Sequence, residues 1–213
     1  MELNVHEIFA SIQGESTRAG EPCAFVRLAG CNLRCAWCDT TYALEGGAPM
    51  TLDAVLARVR EIDLELVEIT GGEPLIQSAS IPLMQSLVDE DFTVLLETNG
   101  TIDLAGVPDD VARIMDVKCP SSAMSAKNRL ANLDLLGRRD EVKFVMADRA
   151  DYEWARELVR GNRRFEHVHA VHFTPVSGRL ELAALADWIL ADKLGVRLGF
   201  QLHKLIWGAG TKR

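Results

Sequence analysis

The feature that most constrains this chain is the run Cys31-Asn-Leu-Arg-Cys35-Ala-Trp-Cys38-Asp-Thr-Thr41. Its three cysteines stand at C-x3-C-x2-C spacing, close enough for one loop to wrap them around a single inorganic centre. Thiolates ligate iron–sulfur clusters and zinc. A cubane cluster normally takes four cysteines, so a loop supplying three leaves one iron open to a small molecule. A structural zinc site needs a fourth protein ligand instead. No His or Cys follows Cys38 within twenty residues, and Cys23 upstream falls on a predicted strand. Three ligands plus an open position is the better fit. The apolar stretch Pro22 to Gly30 that precedes the loop reads as a buried strand ending in a glycine turn,. The cysteines therefore hang at the carboxyl end of a strand, where α/β folds bind ligands.

The rest of the chain alternates. An edge strand running into a polar loop is expected over residues 5–15. Apolar positions 52, 55, 56, 59 and 62 define one helix face, with Thr51 as N-cap,. Strands are expected over 64–70, 92–98, 112–118, 141–146, 168–175 and 197–202, separated by helices near 79–90, 128–137, 151–160 and 180–194. Strands alternating with helices imply right-handed crossovers and a parallel sheet. About six such units make an incomplete, open (β/α)6-type barrel with its site residues at one rim. The 213 residues, 48% of them hydrophobic, suit one domain spanning 1–213,. An open barrel leaves sheet edges to cover, and a homodimer is one way to cover them.

Composition narrows the function classes. A formal charge of −8 argues against a nucleic-acid footprint,. The chain has no apolar run of membrane-spanning length and no secretory start, so a soluble, cytoplasmic protein without a membrane partner is expected. Five cysteines, three of them in one loop, do not make a disulfide framework,.

Several residues stand out on their own chemistry. Arg27 interrupts a buried strand and wants either a structural carboxylate or an anionic ligand. The turn Thr70-Gly-Gly-Glu-Pro74 ends a strand with two glycines, which let backbone amides approach a ligand. Glu97 ends the next strand. Asp116 and Lys118 share a strand face, and the adjacent Cys119 reads as a free strand-end thiol. Glu141 and Lys143 also share a face and read as a surface charge pair. The five histidines show no metal-ligand spacing and read as structural or surface groups.

The cysteine spacing, followed one β/α unit later by Gly71-Gly-Glu-Pro74, resembles the radical S-adenosylmethionine (SAM) superfamily. The block from Glu7 through Gln13-Gly14-Glu15, Phe25-Val-Arg27 and Cys38-Asp-Thr40 is similar to the N-terminus of the 7-carboxy-7-deazaguanine synthases. The resemblance implies a [4Fe–4S] cluster on Cys31, Cys35 and Cys38, with SAM on the open iron. It implies SAM contacts from Trp37, Cys38, Asp39, Gly72, Glu73, Asp116, Val117, Lys118 and Thr174. Substrate contacts fall on Ile12, Gln13, Gly14, Arg27 and Thr70, and a Mg2+ ligand on Thr40. The implied activity is a lyase converting 6-carboxy-5,6,7,8-tetrahydropterin to 7-carboxy-7-deazaguanine with loss of ammonia, in 7-deazapurine (queuosine) biosynthesis. A homodimer and an electron donor such as flavodoxin or ferredoxin go with it. No side chain is expected to perform the radical step, and acid–base roles in the ring contraction stay unassigned. In relatives that stop near the position of Trp207 the C-terminal carboxylate reaches the substrate, whereas this chain continues through residues 208–213. A glycyl-radical enzyme activating protein shares the cysteines and the glycine turn but has no need of Gln13-Gly14-Glu15 and Arg27. A non-catalytic metal module needs only the cysteines.

Overall fold

The apolar runs assemble into one nine-stranded sheet in a computed structural model, which describes residues 1–208. The strands are β1 (Glu2–Ile12), β2 (Pro22–Leu28), β3 (Ala48–Thr51), β4 (Leu66–Gly71), β5 (Thr93–Thr98), β6 (Ala112–Asp116), β7 (Glu141–Met146), β8 (Ala170–Pro175) and β9 (Arg197–Leu198). Their order is β3-β1-β2-β4-β5-β6-β7-β8-β9. From β2 onward every neighbouring pair is parallel. β1 and β3 add to β2 as an antiparallel extension. The sheet is open rather than closed, and six β-strands from β2 to β8 form the expected partial barrel.

Two expectations about the sheet's edges change. β1 is not an edge strand, because β3 pairs along its outer side. The last strand ends at Leu198: the amide of Gly199 makes the final ladder bond to the Phe173 carbonyl (2.7 Å), and the chain then turns away. Residues Leu202–Trp207 form a helix instead, held at its start by the Leu202 amide on the Gly14 carbonyl (2.9 Å). The question of a C-terminal carboxylate at the substrate lies outside the described residues.

Helices α1 (Leu52–Ile62), α2 (Ser80–Asp89), α3 (Arg149–Arg160) and α4 (Leu182–Asp192) serve four of the crossovers, the helix expected over 128–137 is a 3-10 turn at Leu130–Leu135, and Leu202–Trp207 is α5. α1 begins as expected, with the Thr51 hydroxyl accepting from the Ala54 amide (3.2 Å). Alternation along the strands sorts residues to two faces. Val67, Ile69, Leu96, Met115, Val142, Phe144, Val171 and Phe173 join Val55, Val59, Leu83, Leu87, Tyr152 and Leu185 in the main core. Burial of each such side chain contributes about 1.5–3 kcal/mol. The opposite, concave face carries a smaller apolar floor of Cys23, Phe25, Leu66, Leu95 and Ile114. Toward the carboxyl ends the same face turns polar, with Arg27, Glu68, Thr70, Glu97, Asp116, Lys143 and Thr174. Among the described residues, no helix is long and apolar enough to cross a membrane.

Candidate active site

A cavity of about 640 Å³ opens at the carboxyl ends of the parallel strands. Every residue expected to bind cluster, SAM, substrate or magnesium lines it, with the exceptions of Glu73 and Val117. Val117 is excluded by strand parity. Asp116 and Lys118 face the cavity, so Val117 points into the core while its amide donates to the Lys143 carbonyl (2.8 Å). Glu73 is fully buried beneath the end of β5. Its carboxylate accepts from the Asn99 amide (2.6 Å), the Thr98 hydroxyl (2.9 Å) and the Leu75 amide (3.1 Å). The glycine turn swings its carboxylate away from the cavity, where it braces the end of β5.

That turn is packed against the cysteine loop. The Glu73 amide donates to the Gly30 carbonyl (2.9 Å), and the Gly72 amide to the Leu28 carbonyl (3.3 Å). A Cβ on Gly72 would sit 2.1 Å from the Gly30 carbonyl oxygen and 2.7 Å from Cys31 Cβ. Only glycine lets the two ligand-binding turns lie this close. The Cys31 sulfur accepts from the Leu33 amide (3.4 Å) and the Asn99 side chain (3.8 Å). Such donors suit a sulfur that carries charge as a ligand. Burial pushes the Cys35 and Cys38 thiols up, against the pull of the Lys118 ammonium. All three cysteines are free and half-buried at the cavity wall, so the set fits a thiolate-ligated cluster. Cys23 and Cys119 are free, fully buried and outside that wall.

Beside the loop, the Arg179 guanidinium lies 5.8 Å from the Trp37 ring centroid. Across the cavity, Lys118 Nζ donates to Asp116 Oδ2 (2.8 Å). Burial would lower the lysine, but Asp116 holds it charged. Asp116 Oδ1 is buried without a hydrogen-bond partner. An orphaned carboxylate oxygen at a cavity wall is a ready acceptor for a ligand hydroxyl such as those of a ribose.

The substrate-side expectations cluster on β1, β2 and the loop between them. Arg27 has the structural carboxylate and also reaches the cavity. Its Nε donates to Glu7 Oε1 (2.8 Å), and its guanidinium sits between the Phe9 and Tyr42 rings (5.8 and 5.9 Å) while lining the cavity. The Gln13 amide donates to the Glu21 carbonyl and the Gly20 amide to the Gln13 carbonyl, both 2.8 Å, which fixes the turn. Gly14 has no room for a side chain, since a Cβ there would lie 2.1 Å from His203 Nδ1. Thr40 Oγ1 donates to Asp39 Oδ1 (3.1 Å), and Asp39 Oδ2 accepts from Lys204 Nζ (2.7 Å). Burial works against the Asp39 charge, but Lys204 and its hydrogen bonds hold the carboxyl well below the usual range. α5 is thereby tied to the cysteine loop.

Sequence reasoning missed the concave floor. Glu141 and Lys143 are not a surface pair: both are buried, and they do not pair with each other. Lys143 Nζ donates to Glu15 Oε2 (2.7 Å) and to Glu97. Glu141 accepts from the Thr17 hydroxyl and lies within hydrogen-bond distance of His172 Nε2, each at 2.5 Å. Burial would depress the Lys143 ammonium, but Glu15 and Glu97 raise it well above the ordinary lysine value. Burial likewise opposes the Glu97 charge, and Lys143 outweighs it, so Glu97 is lowered. Glu68 goes the other way. Burial, then the charges of Glu97 and Glu15, raise it well above a normal carboxyl. Gln13 Nε2 donates to it. The available signal was a lysine and two glutamates inside otherwise apolar strands, the same oddity that marked Arg27.

Residues 26–165 match the radical SAM superfamily. The chain is 46% identical to the 7-carboxy-7-deazaguanine synthase of Koribacter versatilis, over 99% of this chain and 99% of that one. It is 48% identical to the 7-carboxy-7-deazaguanine synthase of Chlorobaculum tepidum, over 99% of this chain and 96% of the relative. Among solved structures it resembles QueE from Escherichia coli, with a TM-score of 0.74 and 23% identity over 95% of each chain.

Proposed function

This chain belongs to the 7-carboxy-7-deazaguanine synthase family of the radical SAM superfamily, and we propose that it converts 6-carboxy-5,6,7,8-tetrahydropterin to 7-carboxy-7-deazaguanine with release of ammonia. The reading is carried by one observation. Arg27 and the Gln13-Gly14-Glu15 turn, which a protein-activating enzyme would not need, share a single cavity with the cysteine loop. At about 640 Å³ that cavity is in the range of small-molecule sites,.

Cys31, Cys35 and Cys38 would hold a [4Fe–4S] cluster with one iron open to SAM, and the pair would supply the radical chemistry that the side chains themselves cannot. Asp116 and Lys118 place the SAM ribose side, with the free Asp116 Oδ1 accepting from a hydroxyl. Trp37, Asp39, Gly72 and Thr174 complete that wall. Arg27, preset by Glu7 and two aromatic faces, pairs with the substrate carboxylate. Ile12, Gln13 and Gly14 offer backbone groups, and Thr70 a hydroxyl, to the pterin. Thr40 would supply a hard oxygen to Mg2+. The chain works as one domain spanning 1–213, in the cytoplasm and as a homodimer, and takes electrons from a flavodoxin or ferredoxin. Its product enters 7-deazapurine (queuosine) synthesis.

The test is anaerobic. With cluster reconstituted and reduced, the protein given SAM, Mg2+ and the pterin should form 7-carboxy-7-deazaguanine by mass spectrometry, and Cys35→Ala should abolish it. SAM cleavage with the pterin untouched would overturn the substrate.

A further inference from the structure

Glu68 and Glu97 stand on adjacent parallel strands and face the same cavity. Glu68 is in register with Leu95, which places Glu97 two residues nearer the rim on the same concave face. Their surroundings are opposite. Glu97 accepts from the Lys143 ammonium and, at 3.3 Å, from the Thr70 hydroxyl. Lys143 is already shared with Glu15. The Glu68 carboxyl receives its hydrogen bond from Gln13 Nε2, a neutral amide. Three carboxyls thus crowd one ammonium at the cavity floor, and the one without a cationic partner is the one whose hold on a proton is raised,. The groups facing Glu68 are Glu15 and Gln13 from the loop after β1, Cys23 on β2, Glu97 on β5 and Lys143 on β7. The Cys23 thiol is pushed far up, chiefly by burial, so it stays neutral. Burial and two neighbouring carboxylates raise Glu68 while Lys143 lowers Glu97. Two carboxyls whose environments drive them apart make an acid and a base.

Ammonia release needs both. On the reading proposed above, on which this inference rests, the ring-contracted intermediate loses its amine nitrogen as a carbon–carbon double bond forms. We propose that Glu68 is the general acid that protonates the departing nitrogen and that Glu97 is the base that takes the proton from the neighbouring carbon. The carbon–nitrogen bond breaks with its electron pair on nitrogen, which receives the Glu68 proton. The carbon–hydrogen pair becomes the new π bond, and that proton goes to Glu97. No oxidant or reductant is consumed. Lys143 keeps Glu97 ionised until then, and proton return from Glu97 to Glu68 resets the pair for the next turnover.

The test compares wild type, Glu68→Gln and Glu68→Asp as reconstituted holoenzymes with substrate deuterated at C6. The isosteric Gln keeps an acceptor for Gln13 but has no proton to give. It should lower product turnover by about a hundredfold or more. Deuterium should still pass to 5′-deoxyadenosine, and an isomer of the substrate, equal to it in mass apart from exchanged deuterium and separated from it by chromatography, should accumulate. Wild-type turnover should fall on a basic limb as Glu68 loses its proton. Glu68→Asp should keep that limb and part of the activity. Wild-type turnover in Glu68→Gln, or parallel loss of deuterium transfer and product, would overturn the assignment. If Glu68→Gln does not fold, the absence of a basic limb in wild type and Glu68→Asp overturns it equally. Failure of wild type to move deuterium from the pterin would instead refute the underlying reading.

Discussion

Burying a carboxyl so that its hold on a proton rises has a thermodynamic cost that one substitution exposes. Glu68 is 3% exposed, and its folded-state value is raised chiefly by burial and then by Glu97 and Glu15. The unfolded chain holds the same group at about 4.3. Folding therefore takes up a proton at any pH between those two values. Stability falls as pH rises across that window, by about 1.36 kcal/mol per unit, and is flat above the folded value. Below about 4.3 the group is protonated in both states and costs nothing. By pH 7 the accumulated loss is at most about 3.7 kcal/mol, reached if the folded group is still protonated there. Glu68→Gln removes the titration and preserves both the shape and an acceptor for Gln13 Nε2. The variant should thus be more stable than wild type at pH 7, with an advantage that shrinks steadily toward pH 4.3. At roughly 2–4 °C per kcal/mol for a chain of this size, the shift in Tm is up to about 15 °C. Anaerobic melting of the two cluster-loaded proteins between pH 5 and 8 reads it directly. A difference that does not change with pH would mean that Glu68 is ionised in the fold, and would remove the physical basis of its acid role.

Lys143→Met should have the opposite effect. It leaves the Glu97 and Glu15 carboxylates without their counter-charge and should destabilise the fold by about 3–5 kcal/mol in a denaturant titration at neutral pH. Because the folded lysine is raised, the stabilisation it gives is complete at neutral pH and disappears only as pH climbs past about 10.4. Gly72→Ala sets a Cβ 2.1 Å from the Gly30 carbonyl oxygen, where neither partner is a flexible side chain. Displacing the cysteine loop should cost about 1–3 kcal/mol and show as reduced iron and sulfide content after reconstitution.

What could be read in the sequence depended on whether the information was local. Cys31, Cys35 and Cys38 lie within one loop, and Gly71-Gly72 follows one β/α unit later, so spacing alone located the rim. Thr51 as a cap and the faces of the helices were legible for the same reason. Glu73 shows the limit of a motif: it stands inside the glycine turn, yet its carboxylate serves Thr98, Asn99 and Leu75 because the turn reverses its direction. Val117 shows a second limit, since a segment can touch a ligand through only alternate residues. β9 stops at Leu198 rather than at residue 202, because the chain leaves β8 after the Gly199 amide has bonded Phe173.

The floor of the cavity was illegible for a deeper reason. Alternation says that Glu141 and Lys143 share a face, but not that the face curls inward, and a lone strand with two charges reads as solvated. What makes Lys143 internal is the pairing of seven parallel strands, which brings Glu15 from residue 15 and Glu97 from residue 97 to one ammonium. An interior ion of this kind is unfavourable unless its partners arrive together. Each charge is therefore tolerable only in the presence of the others, and the set persists as a unit or not at all. The one member left without a charged partner, Glu68, is then the member free to exchange a proton. That is why the acid–base assignment had to wait for the sheet: it follows from which carboxyl the shared lysine fails to reach, and that is a property of register across β4, β5 and β7.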